Sequence, residues 1–228
     1  MLNTLVETEG ISKRFGAVEA LREVSIRIHA GEIAGLVGEN GAGKSTLLSV
    51  ISGSLRPDSG RLYVQGSPVA LRNYLQANKL GIFRVHQDPA LVENLTVAEN
   101  IFLGYESHFS RLGVVNRGEM AATVRHRLDE TPLGKRIKPN DPIRSLSLDE
   151  REFVEIMRAI SVAALLGVKT PLLLLDEPTA SLSREEVDYL FGFLRDMRPN
   201  AAFVFVSHRL EEVCLLYTSP SPRDRQKS

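Results

Sequence analysis

The sequence predicts an α/β fold with a parallel sheet, on three observations. A glycine-rich segment, Gly38-Glu39-Asn40-Gly41-Ala42-Gly43-Lys44-Ser45-Thr46, lies between the apolar stretch Ile33-Ala34-Gly35-Leu36-Val37 and the helix-like Leu47-Leu48-Ser49-Val50-Ile51, so a buried strand turns directly into a helix. Leu172 to Leu175 and Ala202 to Val206 are short continuous apolar runs, the pattern of strands buried on both faces. Between those two runs lies one helical stripe. The order strand, helix, strand implies parallel crossovers, with ligands gathering at the C-terminal edge of the sheet.

Taken in order, residues 1–32 alternate apolar and polar around Gly10 and the Phe15-Gly16 turn, as in Val24-Ser25-Ile26-Arg27-Ile28-His29, which predicts a small antiparallel β subdomain. Gly53 closes the first helix, Pro57-Asp58-Ser59-Gly60 makes a turn, and Arg61 to Gln65 returns as a strand. From about 96 to 168 the apolar spacing becomes helical, predicting an inserted helical subdomain. Val97, Asn100, Ile101 and Gly104 mark one helix, Glu119 to Leu128 a second, and Phe153, Ile156, Met157 and Ile160 a third face. Its basic residues alternate with acids, which reads as a solvated surface. Ser183 and Glu186 form a capping-box pattern ahead of Val187, Leu190, Phe191 and Leu194, and Pro199 stops that helix.

The chain has 228 residues, with 28 Lys+Arg against 28 Asp+Glu. That length allows one substantial core, and the charge balance gives no reason to expect nucleic acid or an anionic lipid surface as a partner. No apolar run reaches bilayer-spanning length, and Met1-Leu2-Asn3-Thr4 lacks the zones of a secretory signal. The chain is therefore read as cytosolic, in keeping with the single Cys214.

Gly38 to Thr46 fills every fixed position of the phosphate-binding pattern G-x-x-x-x-G-K-[ST]. Glycines let backbone N–H groups turn inward around phosphate oxygens, Lys44 brings a cation to the β and γ phosphates, and Ser45 offers a hydroxyl to Mg²⁺. The chain is expected to bind a nucleoside triphosphate. Asp176, ending an apolar strand, stands where such a core needs a carboxylate for Mg²⁺. Glu177 follows. On an extended segment adjacent side chains diverge, so Glu177 is expected to polarise a water aimed at the γ phosphate. His208, at another strand end, is a candidate to contact that phosphate or water.

The phosphate loop, Asp176-Glu177-Pro178-Thr179-Ala180-Ser181-Leu182 and Ser207-His208-Arg209-Leu210-Glu211-Glu212 together resemble the nucleotide-binding subunit of ABC transporters. Val85-His86-Gln87 and Asn94 to Gly104 are similar to the ATPases of monosaccharide importers of the ribose and xylose type. The resemblance, from Gly10 to Val213, implies a P-loop NTPase core, with ATP and Mg²⁺ bound. It implies that Phe15 stacks on adenine, and that Gln87 reaches Mg²⁺ and the attacking water and communicates with a transmembrane permease. A second ATPase half in a head-to-tail pair and, indirectly, an extracytoplasmic sugar-binding protein follow as partners, at the cytoplasmic face of the membrane.

One motif departs from the family. Where Leu-Ser-Gly-Gly-Gln is usual, this chain has Leu146-Ser147-Leu148-Asp149-Glu150. Ser147 is retained, and with Glu150 it also makes a capping box, so a structural N-cap explains it as well as contact with ATP does. Asp149 and Glu150 place negative charge at a helix end that otherwise faces nucleotide. Two functions from different classes follow: ATP hydrolysis driving sugar import, or an ATP-gated module that closes without appreciable turnover. An ABC protein acting on ribosomes or DNA ranks third. After Val213 the composition changes, and Cys214 to Asp224 resembles the translation of a transposase sequencing adapter. Residues 214–228 are therefore expected to be a non-native tail on a domain of residues 1–213, truncated before its last core elements and forming the first half of a tandem ATPase.

Overall fold

The computed structural model describes residues 3–86, 90–129, 131, 135–180 and 182–218, without the side chains of 213 and 216–218. Two compact units result, one of residues 1–87 and 168–228, the other of residues 88–167.

The first unit begins with β1 (Thr4–Phe15), β2 (Val18–Val24) and β3 (Arg27–His29), the antiparallel strands expected there. Leu5, Val6, Thr8 and Ile11 of β1 are buried. The chain then forms β4 (Ile33–Val37), the phosphate-binding loop and α1 (Lys44–Ile51), followed by β5 (Ser59–Val64), β6 (Ser67–Val69), α2 (Tyr74–Lys79) and β7 (Ile82–Val85). β5 joins β1 and β6, giving the order β2-β1-β5-β6 with β3 also on β1. Neither β6 nor α2 was expected. Each is a single short stretch, too brief for periodicity, and α2 is set by its cap, where the Asn73 side chain accepts from the Gln76 N–H at 3.0 Å.

The second unit holds α3 (Val97–Ile101), the hairpin β8 (Ser110–Arg111) and β9 (Val114–Val115), α4 (Arg117–Asp129) and α5 (Leu148–Leu165). A capping box starts α3: Glu99 Oε2 accepts from the Thr96 N–H at 2.9 Å, and Thr96 Oγ1 accepts from the Glu99 N–H at 3.2 Å. The helix ends at Ile101 rather than continuing to Gly104, whose φ of +87° belongs to a turn. Along α4, Met120, Val124 and Leu128 recur every fourth residue and are buried. On α5 the expected face is formed by Phe153, Ile156 and Met157, with Ile160 half-buried.

The chain returns to the first unit as β10 (Leu172–Asp176), α6 (Arg184–Met197), β11 (Ala202–Ser207) and α7 (Leu210–Thr218). Strands β4, β11, β10 and β7 lie in that order, and all three pairings are parallel, as the apolar runs predicted. β11 shows the two-faced burial directly. Val204 and Val206 join the cluster that includes Leu48 and Ile51 of α1, while Phe205 meets Phe191 of α6 edge-on at 5.4 Å. α7 runs across the boundary expected at residue 213, since an established helix propagates through residues that keep its N–H bonds and the first proline comes only at Pro220. No helix among the described residues is long and apolar enough to cross a membrane.

Register is what prepares the site. Ser207 pairs with Val37, and Val206 with Asp176, so β4, β11 and β10 end level with one another. The phosphate-binding loop, His208 and Glu177 are each the next residues out of those three tips.

Candidate functional site

The loop after β4 owes its shape to two glycines. Gly41 and Gly43 have φ of +85° and +89°, and a Cβ on Gly43 would stand 2.3 Å from the carbonyl oxygen of Ala20. Only glycine fits there. α1 has neither a side-chain cap nor an acidic residue in its first turn, so its positive end is left uncompensated by its own helix. Lys44, 8% exposed, donates from Nζ to the carbonyl oxygens of Gly38 at 2.7 Å and Glu39 at 2.8 Å. Its third Nζ donor and the uncapped start of α1 give this edge of the sheet N–H groups suited to an anion.

Asp176, at the tip of β10, meets the start of α1. Its Oδ1 accepts from Ser45 Oγ at 3.1 Å, so strand tip and helix start meet as the motif predicted. Its Oδ2 accepts from Arg84 Nη2 at 2.8 Å, a pair in which both side chains are nearly buried. Arg84 also donates from Nη1 to Ser49 Oγ at 2.7 Å, and Ser49 Oγ donates to the Ser45 carbonyl oxygen at 2.7 Å. Arg84 therefore ties β7 to both α1 and β10. The sequence reading missed it, although an arginine among the buried Ile82, Phe83 and Val85 is itself a signal.

Glu177 is placed differently from the expectation of an extended segment. Its φ is +51°, the left-handed region, and its N–H donates to the Val206 carbonyl oxygen at 3.1 Å. That bond, one step beyond the last ladder pair, turns the chain at once and aims the side chain along the strand tips. Glu177 Oε2 lies 3.2 Å from His208 Nδ1, so the two residues expected to act on the γ phosphate are neighbours.

A buried carboxylate behind them was also missed. Glu212 Oε2 accepts from Thr179 Oγ1 at 2.8 Å and from Ser207 Oγ at 2.7 Å, and its Oε1 accepts from Arg209 Nη1 at 3.2 Å. It thus fixes the segment following Glu177 to the residues on either side of His208. Ser207 and Thr179 are each 2% exposed, so Glu212 is the acceptor that makes their burial tolerable.

Phe15 is 50% exposed at the end of β1, with Lys13 Nζ 5.7 Å from its ring centre. It is not a core residue, and the β1–β2 hairpin that carries it also supplies Ala20 against Gly43. Ser147 is the N-cap of α5, in the second unit, with its N–H donating to Glu150 Oε2 at 3.1 Å. Asp149 and Glu150 both occupy the first turn of that helix. Gln87 lies outside the described residues.

A family model described as ABC transporter matches residues 21–180. The ribose import ATP-binding protein RbsA 1 of Rubrobacter xylanophilus is 43% identical over 213 residues, covering 93% of this chain and 41% of that protein. The arabinose import ATP-binding protein AraG of Ralstonia nicotianae is 41% identical over 216 residues, 94% of this chain and 40% of that one. The chain thus spans well under half the length of these relatives. Among solved structures, the ADP conformation of an ATP-binding cassette of an ABC transporter superposes with a TM-score of 0.77 at 27% identity, covering 93% of this chain and 84% of that one. A dimeric post-hydrolysis cassette bound to ADP and Pi gives 0.70 at 25% identity, covering 91% and 90%. With the motifs, the level strand tips and these likenesses in agreement, the chain belongs to the ABC transporter family and has the fold of its ATP-binding domain.

Proposed function

We propose that this chain binds and hydrolyses ATP to energise an ABC importer for a monosaccharide, as the first half of a tandem ATPase. One observation carries the reading: Lys44 with its loop, the Ser45–Asp176 pair and the Glu177–His208 pair leave adjacent tips of one parallel sheet. The sugar class rests on the relatives that import ribose or arabinose.

Ser45 and Asp176 offer two hard oxygen donors 3.1 Å apart, which fits Mg²⁺, an ion usually held by one or two carboxylates together with substrate phosphates. Held there by Ser45 and Asp176, Mg²⁺ would supply a Lewis acid that neutralises charge on the phosphates. Every other task falls to the chain. The loop amides and Lys44 grip the phosphates, and Phe15 offers a ring face to adenine. Glu177 Oε2 takes the proton of the attacking water, while His208, held 3.2 Å from that carboxylate, orients it and contacts the γ phosphate. Gln87 links metal, water and permease, and Ser147 faces the nucleotide of the opposing half. Permease, second half and an extracytoplasmic binding protein place the chain at the cytoplasmic face of the membrane.

Phosphate release by the full chain with permease and partner half is the test. Glu177→Gln is expected to keep ATP binding and lose release; Lys44→Ala is expected to lose binding. A Glu177→Gln variant that splits ATP at the parental rate overturns the proposal. One observation favours the second reading, a module that closes on ATP without turnover: Asp149 and Glu150 occupy the first turn of α5, where the family has Gly and Gln. Replacing Asp149 by Gly and Glu150 by Gln raises turnover if charge is what limits it, and leaves turnover unchanged if it is not.

A further inference from the structure

β7 is a buried strand with one misfit. Ile82, Phe83 and Val85 are 1%, 3% and 3% exposed, and between them stands the guanidinium of Arg84. A buried ion pair rarely stabilises a fold better than apolar side chains of the same volume, because desolvation offsets the attraction. Strand packing alone therefore gives no reason for an arginine here. Its partners do. Nη2 is 2.8 Å from Asp176 Oδ2 and Nη1 is 2.7 Å from Ser49 Oγ, while Nε is buried with no partner among the described residues. The cation is thus held in place at the back of the carboxylate whose front oxygen meets Ser45.

We propose that Arg84 is a built-in counter-cation at the metal carboxylate: it holds Asp176 Oδ2 and restricts the grip of Asp176 on a divalent metal to Oδ1. The inference rests on the reading of Ser45 and Asp176 as the Mg²⁺ site and adds a residue that tunes it. A carboxylate shared with a guanidinium has less charge to offer a second cation, and its second oxygen is directed away from bidentate contact. Metal therefore binds more weakly than the same carboxylate would bind it without Arg84. Because the arginine is on β7, the strand that leads to Gln87, the strength of this clamp is also set by a segment outside the phosphate loop.

The test measures metal, not turnover. Mn²⁺ titration followed by electron paramagnetic resonance, with the full chain and saturating ADP, gives the half-saturation concentration for the parent, Arg84→Met and Ser49→Ala. Arg84→Met is expected to lower it about tenfold, the scale of one charge-assisted hydrogen bond. Ser49→Ala, which removes only the second anchor of the guanidinium, is expected to lower it about threefold, less than the full loss of that bond. A half-saturation that is unchanged or higher in a variant with the parental circular dichroism spectrum overturns the inference. Should Arg84→Met fail to fold, Ser49→Ala decides alone. Failure of the parent to bind ADP at all overturns the ATP-site reading and this inference with it, whereas ADP binding with unmoved metal dependence overturns this inference only.

Discussion

Removing the Glu212 carboxylate is a perturbation whose cost can be worked from its contacts. In Glu212→Ala the Thr179 and Ser207 hydroxyls, each 2% exposed, lose the oxygen they donate to at 2.8 and 2.7 Å. A buried donor left unsatisfied costs about 1–3 kcal/mol; Ser207 Oγ keeps a long contact to the Arg209 carbonyl oxygen at 3.5 Å, so the pair costs roughly 2–5 kcal/mol. The Arg209 contact to Oε1 adds little, because the Arg209 side chain is 55% exposed. For a chain of this size 1 kcal/mol moves the melting temperature by about 2–4 °C, so the variant should melt roughly 4–20 °C below the parent. Glu212→Gln keeps one carbonyl oxygen for both hydroxyls and should lose less than half of that. The functional consequence is separate. With the segment after Glu177 no longer tied to the flanks of His208, ATP affinity should hold while turnover in the assembled transporter falls about 10- to 100-fold, the scale of a misplaced catalytic group. Calorimetric melting and a fluorescent ATP analogue check both halves. A Glu212→Ala chain that melts within about 1 °C of the parent, a shift under 1 kcal/mol, refutes the argument from buried donors.

Two further outcomes are expected. Burial pushes the Glu155 carboxyl above its ordinary value, against the opposing pull of Arg158 and the Ala90 N–H. A group raised in the folded state supports folding below its unfolded value, and that support is lost as pH rises through the folded value. Glu155→Gln should therefore match the parent below about pH 4 and be the more stable of the two at pH 7, in melts run across that range. Gly43→Ala forces a Cβ to within 2.3 Å of the Ala20 carbonyl oxygen at a φ of +89°. It should weaken ATP-analogue binding at least about tenfold, through displaced loop amides worth 1.4 kcal/mol or more; unchanged affinity contradicts the role given to that glycine.

Features encoded locally were legible in the sequence. The phosphate loop compresses a backbone geometry into nine consecutive residues, and the apolar runs of β10 and β11 announce burial on both faces, so parallel strands with polar residues at their ends followed from pattern alone. Arg84 and Glu212 were not legible as site residues because their meaning lies in distant partners, Asp176 for one and Thr179 for the other. The left-handed turn at Glu177 was missed for a similar reason: its N–H is captured by Val206, a neighbour in the sheet rather than in sequence. β6, α2 and the β8–β9 hairpin escaped because stretches of two to six residues show no period.

The position of β11 has a consequence for how this protein comes into being. Among the described residues β4 has one sheet neighbour, and it is β11, made some 165 residues later. A ribosome that has completed Gly38 to Thr46 has therefore built a cradle without its wall. Until the chain passes Ser207, β4 lacks its sheet partner, so a nascent chain completes this edge of the site late in synthesis, and a chaperone has most to protect before then.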